Sequence, residues 1–373
     1  MVNQDRLLAE FLRLVAIDSV SGCEGRVSEV LRETLGALGF QVTEDEAGKA
    51  LGGEAGNLIA RLPGNAPGPS LVFCAHMDTV EPGSGVRPEL RGGCVYSAGD
   101  TILGGDDKAG IVAILEGVRV VIEQGWRRPD LEVVFTVSEE QGLMGSKHLD
   151  FARLRSRLGF VLDSVGEPGA IITRAPRQNE IEFEVLGRAA HAGIAPETGV
   201  NAIQAAARAL AAMPMGRIDA QTTCNIGVIE GGKARNIVPD RCHMKGEARS
   251  LSPARLEEVT RQMVETFHAE VERYGAQGEA RVSLLYPEMD LAPGELVVRL
   301  AARGAEAAGL SARIESTGGG SDASIFNGAG IRCVNLGIGM QAVHTTEEHI
   351  ALADLAGSAR WVACIIREAV GEW

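Results

Sequence analysis

The chain has 373 residues, a formal net charge of −14, 45% hydrophobic and 23% charged residues. This composition describes an ordinary folded protein long enough for two domains. The acidic balance excludes a partner gripped by its phosphate backbone, which needs a basic face, and no apolar run approaches the ~20 residues of a membrane span.

In chain order, MVNQDRLLAEFLRLVAIDS spreads acids through an amphipathic pattern and lacks the apolar core of a secretory signal. Leucines and valines at helical spacing from Asp5 to Asp18, and again from Gly25 to Gly39, predict two helices, with a strand at QVTEDE. Apolar runs then alternate with helical stretches: NLIARL, LVFCAH, KAGIVAILEGVRVVIEQG, LEVVFTVSEE, GSKHLDFARL and GFVLDS. That rhythm predicts an α/β domain whose mainly parallel sheet is covered on both faces.

After Pro176 the rhythm changes. EIEFEVLG alternates as a half-exposed strand, NAIQAAARALAAM reads as a helix, TTCNIGVIEGG and HMKGEARSL as strands, ARLEEVTRQMVETFHAEVERYG as a long helix and EARVSLLY as a last strand. The order β-α-β-β-α-β is the ferredoxin-like plan. Beyond Pro287 the α/β pattern returns and closes with a helix from Leu352 to Glu368. The expected organisation is therefore a discontinuous catalytic domain, residues 1–176 and 287–373, with an inserted α+β lid domain, residues 177–286. Seven scattered cysteines (Cys23, Cys74, Cys94, Cys224, Cys242, Cys333 and Cys364), odd in number and never spaced C-x-x-C, argue against a disulfide framework or a cysteine zinc site. They make the reducing cytoplasm the expected compartment.

Three apolar runs of the first part stop on ligand-type residues: LVFCA on His76 and Asp78, LEVVFTVS on Glu139 and Glu140, and GFVL on Asp163. A fourth, IRCVNLGIG, precedes His344, and GGDDKAG sets Asp106 and Asp107 ahead of a helix. Each has a plain structural reading of its own. Asp106 and Asp107 suit a helix N-terminus, Ser138 and Gln141 would make a capping box, Asp163 a turn and His76 a core histidine. Together they point elsewhere, because ligands of open α/β sheets sit at the carboxyl ends of strands. Two histidines with several carboxylates and no cysteine form a donor set for zinc, manganese or cobalt.

HMDTV, GGDDKAG, SEEQGLMGS, VLDS, GRAAHAG, GGGSDASIFN and VHTTEEHI, in this order along essentially the whole chain, resemble the di-zinc metallopeptidase family of peptidase T, glutamate carboxypeptidase and aminoacylase. The peptidase T-like branch, described as tripeptide aminopeptidases, is the nearest likeness. The resemblance implies that His76, Asp106 and Asp163 hold one of two divalent metals, most simply Zn2+, with Asp106, Glu140 and His344 on the other. It also implies Asp78 behind His76, Glu139 as the general base for a metal-bridging hydroxide, and a cis peptide at Asp106–Asp107.

On the substrate side it implies His191 at the oxyanion, Arg249 on the terminal carboxylate of a short peptide, and Asn236, Gly319 and Ser321 near the peptide. If Arg249 holds one end and the metals the first peptide bond, substrate length is limited. A homodimer through the lid is implied for some members. Carboxypeptidase and N-acyl-amino-acid amidohydrolase chemistry use the same site and remain open at this point, as does a metal-dependent peptide-binding protein. The sequence offers no acid for recognising the free amine, and His148, His243, His268 and His349 have no motif around them.

Overall fold

LVFCAH forms the strand Leu71–His76, and all six residues are buried. They are buried because both edges are paired, with Leu131–Thr136 on one side and Leu158–Ser164 on the other, both parallel to it. The computed structural model that shows this describes residues 1–371. From edge to edge the main sheet runs Gln41–Glu44, Leu58–Leu62, Leu131–Thr136, Leu71–His76, Leu158–Ser164, Arg332–Gly337, Ala170–Ala175 and Met289–Asp290. Arg313–Ser316 lies beside Ala170–Ala175. The four middle strands are mutually parallel, whereas Gln41–Glu44, Leu58–Leu62 and Ala170–Ala175 meet their inner neighbours antiparallel. The sheet is thus parallel at its centre and mixed at its margins.

The chain divides into two compact units. Unit 1 comprises Met1–Arg174, Met289–Thr317 and the chain from Ser321, and unit 2 comprises Ala175–Glu288 with Gly318–Gly320. In unit 1 the helix Gly105–Glu123 packs on strands Leu71–His76 and Leu158–Ser164, and helices Gln4–Val15 and Leu352–Glu368 pack against it. Asn3 starts the first helix by accepting from the Arg6 amide at 3.1 Å. Helix Leu296–Ala307 packs on Leu352–Glu368, and the short helix Asp322–Gly328 packs on Leu158–Ser164 and Arg332–Gly337.

Two local readings change. GSKHLDFARL folds only as the turn of helix Met144–Lys147 and the 3-10 turn Phe151–Arg153, with Asp150 capping the latter, so its apolar spacing never becomes a long helix. Ser138 starts no helix: its φ is +49°, and its amide and hydroxyl both donate to Glu24 Oε1. A further sheet of four short strands, Met340–Gln341, His349–Ala351, Cys94–Ser97 and Pro88–Arg91, has no counterpart in the sequence reading, since strands this short carry little alternation.

Unit 2 is an antiparallel sheet ordered Gly216–Asp219, Thr222–Gly231, Arg241–Ser250, Arg177–Leu186 and Gln277–Tyr286. Helices Ala202–Ala212 and Pro253–Arg273 pack on it around Phe183, Met244, Met263 and Phe267. Asn201 and Ser252 cap those helices, and Pro253 occupies a first-turn position where no amide is missed.

The contact between helices Gly105–Glu123 and Leu352–Glu368 depends on Gly117, where an added Cβ would come within 2.7 Å of Val362 Cβ. At the exposed helical Gly36 a Cβ would meet nothing within 4 Å. Gly117→Ala is expected to destabilise unit 1 by about 1–3 kcal/mol through overpacking, and Gly36→Ala to stabilise it by about 0.5–1 kcal/mol. Urea denaturation of the two variants should move the midpoint in opposite directions.

Candidate metal centre

Because the four central strands are parallel, their carboxyl ends emerge on one edge of the sheet. His76 is the last residue of its strand, Asp163 lies next to last in Leu158–Ser164, and Glu139 and Glu140 follow Leu131–Thr136. His344 sits in the turn between Met340–Gln341 and His349–Ala351. Asp106 precedes the regular part of its helix, with φ −78° and ψ 103°, and the Asp106–Asp107 peptide is cis.

His76 Nε2 lies 3.0 Å from Asp106 Oδ1 and 3.8 Å from Asp163 Oδ1. His344 Nε2 lies 3.3 Å from Asp106 Oδ2 and 2.9 Å from Glu140 Oε1. Asp106 therefore turns one oxygen to each imidazole. Ligand atoms of His76, Asp106 and Glu140 fall within 4.8 Å of one another, as do those of His76, Asp107 and Asp163. Asp107 has the reach of a ligand, but its oxygens accept from the amides of His76 and Gly110, both at 3.2 Å. His344 has φ +63°, a conformation that non-glycine residues seldom adopt and that is concentrated at functional sites.

The charges in this cluster are poorly balanced without a cation. Burial, then the neighbouring carboxylates, push Glu139, Asp163 and Asp107 well above the usual carboxylate range. Hydrogen bonds to Asp106 and Glu140 raise His344 to about 10. Burial alone would lower His76, yet Asp106 and Asp78 raise it overall. All five shifts favour bound protons, the response of a site with surplus negative charge. Divalent cations would supply the compensation, and the His and carboxylate donors suit them.

The tautomer of His76 is set from behind. Its Nδ1 lies 2.9 Å from the Asp78 backbone carbonyl, which can only accept, so Nδ1 carries the proton and, in the neutral ring, Nε2 keeps a lone pair. The Asp78 carboxylate stands farther from that nitrogen, at 3.4 Å. It accepts instead from the amides of Glu139 and Glu140, at 2.9 and 3.2 Å, and from Ser21 Oγ at 2.6 Å. Asp78 thus ties the strand end at His76 to the Glu139–Glu140 turn. Glu139 itself is half-buried, and its carboxylate makes no hydrogen bond among the described residues and belongs to neither ligand cluster.

One residue the sequence reading missed is Glu348. It is 1% exposed, and its carboxylate accepts from the amides of Leu103, Gly104 and Asp106 at 2.8–2.9 Å. The only signal was its place four residues after His344 in VHTTEEHI. Ser321, expected near the peptide, is 6% exposed and caps helix Asp322–Gly328. Its hydroxyl also receives Asn335 Nδ2 at 3.1 Å, and Asn335 in turn accepts from the Asp163 amide.

In unit 2, His191 is exposed, and its Nδ1 accepts from the Gly193 amide at 3.2 Å, which leaves Nε2–H as an outward donor in the neutral ring. The Asn236 carbonyl holds the Ala192 amide at 2.9 Å, so the His191 and Asn236 segments are joined, with the Asn236 residue exposed. Arg249 gives Nε and one Nη2 hydrogen to Glu247, at 2.9 and 2.8 Å. A Cβ at Gly319 would meet nothing, whereas one at Gly320 would strike the Tyr286 ring, so packing requires glycine only at the latter. His349 stacks on Tyr96 at 4.9 Å between centroids.

Residues 179–275 match the M20 peptidase dimerisation domain, and residues 57–213 match peptidase family M28. The Bacillus subtilis protein YqjE is 41% identical over 99% of this chain and 100% of its own. The crystal structure of aminopeptidase PepT from Bacillus cereus is 42% identical with a TM-score of 0.91, covering 99% of each chain. That of a tripeptidase from Staphylococcus aureus is 40% identical with a TM-score of 0.94, covering 98% of each chain. A chain that shares this much of its length and sequence with such relatives, and carries this donor set at its sheet edge, belongs to the M20 metallopeptidases, on their peptidase T-like branch.

Proposed function

We propose that this protein is a metal-dependent aminopeptidase that releases the N-terminal residue of tripeptides. The observation that carries the reading is Asp106 with one oxygen toward each imidazole, beside a half-buried Glu139 whose carboxylate makes no hydrogen bond among the described residues. The names of the Bacillus cereus aminopeptidase and the Staphylococcus aureus tripeptidase supply the direction and the substrate class.

His76, Asp106 and Asp163 would hold one ion and Asp106, Glu140 and His344 the other, zinc being the first choice for these donors, with manganese or cobalt as substitutes. When bound, the ions polarise the scissile carbonyl and acidify a water molecule. Glu139 accepts the proton of the attacking water and returns it to the leaving amine, a task suited to a carboxyl whose pKa burial has raised. Asp78 keeps that residue in place through its amide and holds the His76 strand end to the same turn. His191 offers Nε2–H to the developing oxyanion. Arg249, braced by Glu247, takes the terminal carboxylate with its remaining N–H groups, and Asn236 and Gly319 contact the peptide. A cytoplasmic setting accords with seven unpaired cysteines. A homodimer through unit 2 accords with its dimerisation-domain match and with exposed Val228, Ile229, Val282 and Leu284 on its sheet; a monomer in sedimentation velocity would overturn this.

Chelator-treated protein should stop releasing amino acids from tripeptides and recover with zinc, manganese or cobalt, and an N-acetylated tripeptide should resist cleavage. Cleavage confined to the acylated form would reverse the substrate assignment. Glu139→Gln should lower kcat by ~10²–10⁴-fold at unchanged metal content; loss of an ion from the variant would make Glu139 a ligand instead.

Removing the ions should also make stability pH-dependent. The raised Glu139, Asp163, Asp107, His76 and His344 bind more protons folded than unfolded. Their contribution is present below the unfolded pKa and is lost as pH rises through the folded one. The metal-free Tm should therefore fall from about pH 5.5 to about pH 8, with zinc restoring it most at the higher value.

A further inference from the structure

Glu348 is a buried residue with no part in the chemistry above, yet every hydrogen bond of its carboxylate ends on the segment that carries Asp106. Oε2 accepts from the amides of Leu103 and Gly104, and Oε1 from the amide of Asp106. These donors precede the regular turns of helix Gly105–Glu123, where backbone amides have no partner within the helix. Gly105 makes room for the arrangement, since a Cβ there would stand 3.1 Å from Oε1. At its other end Glu348 is tied to the turn bearing His344. Its amide donates to the Thr345 carbonyl at 3.1 Å, and Thr345 Oγ1 donates to the Ala342 carbonyl at 2.7 Å. Directly after it, His349–Ala351 pairs with Cys94–Ser97.

We propose that Glu348 is a positioning residue that fixes Asp106 against His344 and so sets the affinity of the one ion those two ligands share. The inference rests on the two-ion reading given above. Physically, the carboxylate is a strut between two ligand-bearing segments that are far apart in sequence. His76 and Asp163 are held by their own strands, and Glu140 by Asp78. His344 sits half-exposed in a turn with φ +63°, and the strut and the short strand after it join that turn to the Asp106 segment. Loosening the strut should weaken the shared ion selectively and leave the ion between His76 and Asp163 in place.

Calorimetric titration of the metal-free protein with cobalt, followed by the cobalt visible spectrum at each equivalent, tests this. Wild type should take up two ions. Glu348→Gln cannot accept on its amide nitrogen, so at least one of the three backbone amides loses its acceptor. It should weaken the second ion by ~10–100-fold while leaving the first within about threefold. The spectrum of the doubly loaded variant should change, and that of the singly loaded one should not. Gly105→Ala, which crowds the same carboxylate from outside, should give the same selective loss and serves if Glu348→Gln does not fold. Native affinity at both sites in these variants, or equal weakening of both alongside a lower metal-free Tm, would overturn the assignment and leave Glu348 a fold-supporting residue. A wild-type chain that takes up a single ion would overturn the two-ion reading and the inference with it.

Discussion

Surplus negative charge, buried at one edge of a sheet, is the constraint to which the rest of unit 1 answers. The carboxylates there form two sets. Asp78, Asp107 and Glu348 are fully or almost fully buried, and their oxygens accept mainly from backbone amides. Such bonds offset burial only in part: burial would raise Asp78, but His76, Ser21 and the Glu139 amide outweigh it and leave it below the usual range, whereas burial prevails at Asp107 and Glu348, which lie above it. Glu139 and Asp163 lack this support on their carboxylates and lie above the range. The amide-bonded set holds the geometry, and the carboxylates of Glu139 and Asp163 keep lone pairs that no amide engages.

This division was legible only in part: of the amide-bonded set the sequence showed Asp78 and Asp107 and hid Glu348. His76, Asp163, Glu139 and Glu140 end apolar runs, and an abrupt change from strand to ligand-type residue is visible in one dimension. Glu348 is chemically as specific, but its partners are amides, which carry no residue identity, at positions more than 240 residues away. In the string it is one of two adjacent glutamates before a histidine. Asp107 stands beside Asp106 in the sequence, and only the fold shows its oxygens committed to amides. The central strands were legible because full burial enforces continuous apolar runs. The four-stranded sheet beside His344 was not, since its strands are two to four residues long. At Ser138 the plain capping alternative fails, because its amide and hydroxyl serve Glu24 and no helix starts there.

In unit 2 the repeating features were readable for the same reason, through the alternation of Arg177–Leu186 and the alanine-rich Ala202–Ala212. What a pattern could not show is that Glu247 engages Arg249 side-on while Gln178 Nε2 donates to that same glutamate at 2.6 Å. Pre-engagement by Glu247 orients the planar guanidinium and reduces the rotamer freedom an incoming carboxylate must freeze. It also makes Arg249 less available to a weakly held anion, a trade of raw attraction for direction.

The chain order of the proposed ligands makes the proposed strut intelligible. His76, Asp106, Glu140 and Asp163 all come before unit 2 in sequence, and His344 alone comes after it. The entropy of closing so long a loop grows only as the logarithm of its length, so inserting a domain ahead of His344 adds little to the cost of bringing it back. What the insertion removes is local guidance, because no neighbouring ligand in sequence fixes where the His344 turn lies. Pairing of Arg332–Gly337 with Leu158–Ser164 returns the chain to the sheet, and pairing of His349–Ala351 with Cys94–Ser97 orients the turn. Hydrogen bonds from Leu103, Gly104 and Asp106 to Glu348 then act at the scale of ångströms, the scale on which a metal discriminates between donor arrangements.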